Sequence, residues 1–385
     1  MILSLALISL LLAAIPLCLF SQNLKAFCSN FRTTSTTPSV AGNAESGSEL
    51  PRVSLLIPAR DEAGGIEKCL DKALDSRSIV LEILVLDDHS ADDTALIVDK
   101  FTSIHSNVRR IAGQTLPDTW NGKQFACAQL ADHANFETLV FIDADVRLEP
   151  NALASLIRYQ QDRNIDLLSA FPKQETGSWL EHWMIPMMHI ILLGYLPIGR
   201  MRKNKHEAFA AGCGQLFVTR KDAYIQSGGH AALKTSRHDG LMLPRVYRRA
   251  ALITDIIDGT SIASCRMYHS ASEVIRGVLK NADEGIAKPR LILIFSVLLL
   301  GSVTLPAITL AIGLLSANWL VSGISALALA LGHIPRILVS INFRQSWIGV
   351  AFHLPALTTF VALQWIAFVL HLIGFSVSWR GRRDA

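Results

Sequence analysis

Thr138-Leu139-Val140-Phe141-Ile142-Asp143-Ala144-Asp145 is a run of β-branched, aliphatic and aromatic residues that ends in two carboxylates one residue apart. An apolar run bounded by polar groups is the pattern of an inner strand of a parallel sheet, covered on both faces. Side chains alternate along a strand, so Asp143 and Asp145 would share a face if the strand continued that far. Two like charges at a strand's carboxyl end are costly unless something positive sits between them. In α/β sheets that end is also where ligands bind. A hard divalent cation carrying a phosphorylated ligand meets both conditions, because Mg²⁺ and Mn²⁺ take carboxylate and phosphate oxygens. An acidic surface loop would carry the same residues, so the pair needs support from the rest of the chain.

Upstream, Arg52 to Ile57 reads as an apolar strand running into Pro58-Ala59-Arg60-Asp61-Glu62. Gly64-Gly65 follows, then a helical pattern with Ile66, Cys69, Leu70 and Ala73 on one face. A second strand, Leu81 to Leu86, ends in Asp87-Asp88-His89-Ser90, and Asp92 and Asp93 suit the first turn of the next helix. Val108 to Ile111 is a brief third strand, and Asn121-Gly122-Lys123 leads into a helix ending near His133. Strands alternating with helices predict a doubly wound, mostly parallel α/β sheet. Three of its strands then end in carboxylates on one edge: Asp61 and Glu62, Asp87 and Asp88, Asp143 and Asp145. That coincidence is far more specific than any one acidic pair.

Downstream, Ala210-Ala-Gly212-Cys-Gly214-Gln-Leu-Phe-Val-Thr219 reads as a strand whose small residues would let something large approach the backbone. A helix from Arg220 to Gln226 and Gly228-Gly229 come next, and Asp239 opens a further short helix, where it would serve as an ordinary cap if it had no other role. Ile262 to Tyr268 and an amphipathic helix from Ser270 to Glu284 complete this region.

Of 385 residues, 50% are hydrophobic and 18% charged, and the mean hydropathy of +0.34 is too high for an ordinary soluble domain. The excess lies at the two ends. Residues 1–21 predict an uncleaved membrane anchor of roughly 20 residues, lacking the basic start and small-residue cleavage site of a signal peptide. Residues 22–50 then lead, through the Ser-, Thr-, Gly- and Asn-rich Thr33 to Leu50, as a polar linker into a domain spanning 51–290. Within it, Trp179 to Arg202 is apolar and aromatic, is interrupted by Pro186 and ends in a basic cluster. It reads as a segment lying at the membrane surface, with a buried core helix as the plainer alternative. Residues 291–379 carry three further spans, Leu291 to Leu315, Trp319 to Ser340 and Trp347 to Val377, before a basic tail at 380–385.

Lys25, Arg32, Lys288, Arg290, Arg336 and Arg344 flank these spans on one side and place the central domain in the cytoplasm, although Arg380, Arg382 and Arg383 would then fall outside. The expected site is thus the inner or plasma membrane, crossed several times. A net charge of +4 without a dense basic run argues against nucleic acid as a partner. Six scattered cysteines form neither a disulfide framework nor a zinc site.

The ordered motifs Val53-Ser-Leu-Leu-Ile-Pro-Ala59-Arg-Asp-Glu62, Val85-Leu-Asp87-Asp88-His-Ser-Ala-Asp-Asp-Thr94, Asn121-Gly-Lys123, Phe141-Ile-Asp143-Ala144-Asp145 and Ala211-Gly212-Cys-Gly214 resemble family 2 glycosyltransferases of the GT-A fold. The match runs from about Arg52 to Tyr268, and the chain looks most like the integral membrane group with hopanoid-associated and carotenoid glycosyltransferases. The resemblance implies inverting, non-processive transfer of a sugar from a nucleotide diphosphate, UDP by preference, to a hydroxyl of a lipid acceptor. It implies that Glu62 and Asp88 hold the uracil or ribose and that Lys123 lies near the phosphates. Ala59, Asp87, Ala144 and Gly212 join that donor site, and Asp143 and Asp145 take Mn²⁺ or Mg²⁺, with Asp145 favoured as the direct ligand.

Asp239 matches the family's general base, while its neighbour His238 stands where an acidic residue is usual. Asp61 likewise replaces the usual Asn, and no Gln-x-x-Arg-Trp motif of processive synthases follows Asp239. Two other classes remain open. A nucleotidyltransferase would need a Gly-rich, basic triphosphate loop after the first strand, which is not there. A catalytically altered membrane scaffold would be consistent with His238.

Overall fold

The computed structural model describes residues 1–35, 49–282 and 284–373. Residues 36–48 of the predicted linker, the last residues of the span predicted to end at Val377, Trp379 and the basic tail lie outside them. The described chain divides into two compact units.

One unit is built on an eight-stranded sheet of order β3-β2-β1-β4-β7-β6-β8-β5. Its strands are β1 (Arg52–Ala59), β2 (Val80–Asp87), β3 (Val108–Ala112), β4 (Thr138–Ile142), β5 (Val146–Leu148), β6 (Leu167–Gln174), β7 (Leu216–Arg220) and β8 (Thr254–Cys265). The four apolar strands read from the sequence form the parallel half, β1 pairing with β2 and β4, and β2 with β3. Val53, Leu55, Leu56, Ile57, Ile83, Leu84, Val85, Leu86, Leu139 and Val140 are wholly buried there. Each contributes roughly 1.5–3 kcal/mol of hydrophobic stabilisation, which fixes the register of this half.

The other half is antiparallel, with β7 against β4 and β6, and β5 against β8. The sheet is therefore mixed. Strand β7 begins at Leu216, so Ala210 to Gly214 is a loop, where the sequence predicts a strand from residue 210.

In register, Ile142 of β4 faces Leu216 of β7. Asp143 is thereby set beside Gln215, whose carbonyl accepts the Asp143 amide at 3.2 Å. That pairing brings the glycine loop alongside the Asp-x-Asp turn.

The second unit holds most of the apolar helices. The first, Ile2–Ser35, runs on into the stretch read as the linker's start. Its first 27 residues, together with Trp319–Asn342 and His353–Leu372, are long and apolar enough to cross a membrane. The predicted span from Leu291 to Leu315 is instead two helices, Leu291–Ser302 and Thr304–Leu315, bent by 43°. Pro306 has no N–H for the Ser302 carbonyl, and the helix breaks there as that chemistry requires. The interfacial stretch also divides, into Trp179–Met184 and Met187–Tyr195, at Pro186.

Arg336, read from the sequence as a charge flanking a loop, lies inside Trp319–Asn342 and is fully buried. Its guanidinium donates to the carbonyls of His182 (2.6 Å) and Trp183 (3.4 Å). Pro186 offers no N–H to the first of these, so Arg336 satisfies an acceptor that the broken helix leaves over.

Candidate active site

The parallel half delivers three acidic loops to one edge. After β1, Asp61 adopts a left-handed backbone (φ 52°), a conformation that Asp and Asn tolerate better than other side chains. Its carboxylate accepts the Ala91 amide at 2.7 Å, and its own amide donates to Ser90 Oγ at 3.1 Å. The Glu62 amide donates to Thr94 Oγ1 at 2.8 Å. Asp in place of Asn at position 61 therefore keeps the turn, and the residue's work is to tie two loops together. Ala59 ends β1 opposite Asp87, and its carbonyl accepts the Asp88 amide at 2.8 Å. Asp87 accepts from the Ser90 amide at 3.2 Å. Arg60, which sequence reading did not single out, donates to the Asp88 carbonyl at 2.7 Å and lies 3.8 Å from its carboxylate.

After β4, Ala144 is buried between the two carboxylates. Its carbonyl and that of Val146 accept from the Arg147 guanidinium at 3.0 and 2.9 Å, and Arg147 reaches across to the Gly65 carbonyl at 2.9 Å. Arg147 thus clamps the Asp-x-Asp turn to the first loop. It had no sequence motif to reveal it.

Asp145 has one buried carboxylate oxygen, Oδ1, with no hydrogen-bond partner. The buried Cys265 thiol is a neighbour of this carboxylate. Burial and then the neighbouring Asp143 push the Asp145 pKa up to about 7. A buried, unsatisfied acidic oxygen is costly unless something fills its lone pairs. Among the described residues no group of three or more His, Cys, Asp and Glu side chains is placed to hold a metal by itself. Two carboxylates with an orphaned oxygen fit a cation that takes its remaining ligands from water and phosphate, as Mg²⁺ does.

Lys123 brings the distant parts of the chain together. It stands in the first turn of Gly122–His133, where Asn121 caps the helix by accepting the Lys123 amide. Its ammonium lies 2.6 Å from Asp143 Oδ1 and 2.9 Å from Asp239 Oδ2. Burial opposes the charge, but the two carboxylates outweigh it and hold the Lys123 pKa well above its ordinary value.

Asp239 opens the helix Asp239–Arg249, with His238, half-buried, at the cap position. Burial alone would raise the Asp239 pKa, yet the Lys123 ammonium lowers it below the usual carboxylate range.

The glycines explain how this carboxylate fits. A Cβ at Gly214 would overlap the Asp239 carboxylate, and one at Gly212 would press on the Phe217 ring and the Gly240 carbonyl. Gly212 and Gly214 therefore admit the start of the Asp239 helix. Gly214→Ala is expected to cut transfer at least about 100-fold by displacing that carboxylate, the order of loss that misplacing a catalytic group brings. Donor binding would stay within a few-fold, and a rate comparison at saturating donor checks both.

Residues 54–226 match the family model described as glycosyl transferase family 2. A 4,4'-diaponeurosporenoate glycosyltransferase of Staphylococcus haemolyticus (strain JCSC1435) is 28% identical over 263 residues, 67% of this chain and 68% of that protein. The protein of the same name from Staphylococcus aureus (strain USA300) is 27% identical over 262 residues, 65% of this chain and 66% of its own length. Among solved structures, a mannosyltransferase from Pyrobaculum calidifontis in complex with GDP-Man and Mn²⁺ superposes with a TM-score of 0.52 at 17% identity, covering 97% of this chain and 99% of that one. The fold is accordingly of the GT-A type. Residues 54–226 thus match a family 2 glycosyltransferase domain, and that match with the relatives' names supports a glycosyltransferase.

Proposed function

We propose that this glycosyltransferase is membrane-bound, faces the cytoplasm, and moves one sugar with inversion from a nucleotide diphosphate, UDP by preference, to a hydroxyl of a lipid acceptor. The observation that carries this reading is the placement of Asp239, a buried ionised carboxylate, 2.9 Å from a lysine that also grips Asp143 at 2.6 Å. A base and a diphosphate-binding edge are thereby adjacent, as a single displacement needs. Asp143 and Asp145 would hold Mn²⁺ or Mg²⁺, which when bound neutralises the charge that grows on the departing diphosphate. Glu62, Asp87 and Asp88, with Ala59, line the loops assigned to the nucleoside, Lys123 and Ala144 those assigned to the phosphates, and Gly212 the floor beneath Asp239. Asp239 takes the acceptor's proton on a carboxylate oxygen, with His238 next to it in sequence at the helix cap as a second polar residue.

A lipid acceptor is supported by the apolar helices and by relatives named for 4,4'-diaponeurosporenoate. A scaffold that had lost its chemistry would have no reason to keep an orphaned Asp145 oxygen beside an intact Lys123 and Asp239 constellation. An acceptor that is already a carboxylate needs no base, and with it the dependence on Asp239 would vanish.

The test uses the full chain in detergent with Mn²⁺ and a panel of UDP-, GDP- and dTDP-sugars, with membrane lipid extract as acceptor. One donor class is expected to bind and to label an organic-extractable product carrying a single sugar. A long water-soluble polymer, or a folded protein that binds no nucleotide-sugar, refutes the proposal.

A further inference from the structure

Lys123 has three N–H donors, and in this structure each one faces an acceptor: Asp143 Oδ1 at 2.6 Å, Asp239 Oδ2 at 2.9 Å and the Gly214 carbonyl at 3.4 Å. No donor is left for a phosphate oxygen. An ammonium that is to meet a diphosphate must first surrender one of these bonds. Asp143 is the partner that a divalent cation would also claim, since a hard cation and an ammonium compete for the same carboxylate oxygens.

We infer that Lys123 is a latch: in the donor-free protein its ammonium stands in for the divalent cation, holding Asp143 and Asp239 to one another, and donor binding releases it. The inference rests on the reading of Asp143 and Asp145 as the metal-binding pair. When a cation takes Asp143, the four-carbon stem of Lys123 allows its ammonium to turn to the diphosphate, while the capped first turn of its helix stays fixed. Asp239 loses its tightest counter-charge in the same exchange and becomes the stronger base only once the donor is in place. The arrangement imposes an order, donor first and acceptor second. It also sets a positive charge between Asp143 and Asp239 in the resting protein, easing the repulsion of the two carboxylates.

The latch makes a prediction opposite to that of a simple ligand-binding lysine. Mn²⁺ binding to the full-length protein in detergent is measured by electron paramagnetic resonance of the free ion, without nucleotide and with UDP. Without nucleotide, Lys123→Gln is expected to bind Mn²⁺ about tenfold more tightly than the wild type, the gain from removing one partly exposed competing ion pair. With UDP present the order reverses, because the variant lacks the ammonium that the diphosphate would accept. Lys123→Arg, which restores the cation, is expected to return the nucleotide-free affinity to that of the wild type.

If Lys123→Gln does not fold, the double variant Lys123→Met/Asp239→Asn leaves no unpaired charge at Asp239 and carries the same expectation. Nucleotide-free Mn²⁺ affinity that is unchanged or weaker on removing the ammonium overturns the latch. Asp145→Asn separates the two readings: if it loses Mn²⁺ while Lys123→Gln binds as the wild type does, only the latch fails. If Asp145→Asn binds Mn²⁺ normally, the metal pair fails and the latch with it.

Discussion

Asp239→Asn is expected to slow sugar transfer to a hydroxyl acceptor by about 10²–10⁴-fold, the range that loss of a positioned general base brings. Nucleotide-sugar binding should stay within a few-fold of the wild type. The asparagine has the same shape, so it still fits the space that Gly212 and Gly214 leave, and Lys123 keeps Asp143. What disappears is the only ionised oxygen at the start of Asp239–Arg249. The Lys123 ammonium holds the Asp239 pKa low against burial. A carboxylate with a depressed folded-state pKa contributes stability that is present above its unfolded value and is lost only as pH falls through the folded one. In the donor-free protein Asp239 therefore stays ionised around neutrality. Single-turnover transfer, measured beside donor binding, decides the matter. A variant that transfers within about threefold of the wild-type rate, far inside the range for a lost base, would remove Asp239 from the mechanism.

How far the sequence led to this site follows from where its information is local. The parallel half was legible because Val53 to Ile57, Leu81 to Leu86 and Thr138 to Ile142 are unbroken apolar runs with acidic ends, and all three are strands in the structure. The antiparallel half was not. Strand β5 has three residues, too few for any periodicity, and β6 contains Pro172 and Lys173. The start of β8 was missed because Asp255, Asp258 and Thr260 interrupt its apolar pattern. Asp255 is satisfied by a tertiary partner, Arg202, at 2.8 Å, and Asp258 locally by the Thr260 hydroxyl at 2.6 Å.

The carboxylates of the site were each visible as strand or helix ends. Their meeting point at Lys123 was not, since it is made by three elements far apart in the chain. Arg147 and Cys265 act on the Asp-x-Asp turn through contacts that have no sequence spacing at all. Gly212 and Gly214 announced a close approach correctly, but what approaches their backbone is the protein's own Asp239 helix.

Asp145→Asn is expected to separate function from stability in opposite directions. Mn²⁺-dependent binding of the nucleotide-sugar should weaken at least about 100-fold, the upper end of what is lost even for residues one shell beyond a metal. Yet the metal-free variant should melt at a higher temperature than the metal-free wild type near neutral pH. The reason is the position of Asp145: one oxygen is buried without a partner, and burial and then Asp143 push its pKa up to about 7. A carboxyl group whose folded-state pKa is raised binds more protons in the folded chain than in the unfolded one. Its contribution to stability therefore falls as pH climbs from about 4 to about 7. An amide in its place carries no such charge.

The wild type should accordingly lose stability relative to Asp145→Asn between about pH 5 and pH 7.5 without metal, in keeping with that sign. Saturating Mn²⁺ should restore it, because a ligand that binds only the folded state stabilises it by mass action. Thermal unfolding of both proteins at the two pH values, with and without Mn²⁺, gives all four comparisons. A wild type whose melting temperature ignores Mn²⁺, or a variant no more stable than the wild type without it, would show that the raised, unpartnered carboxylate is not held in reserve for a cation. A destabilised carboxylate that a cation rescues is instead the mark of a site whose sequence sacrifices stability for binding.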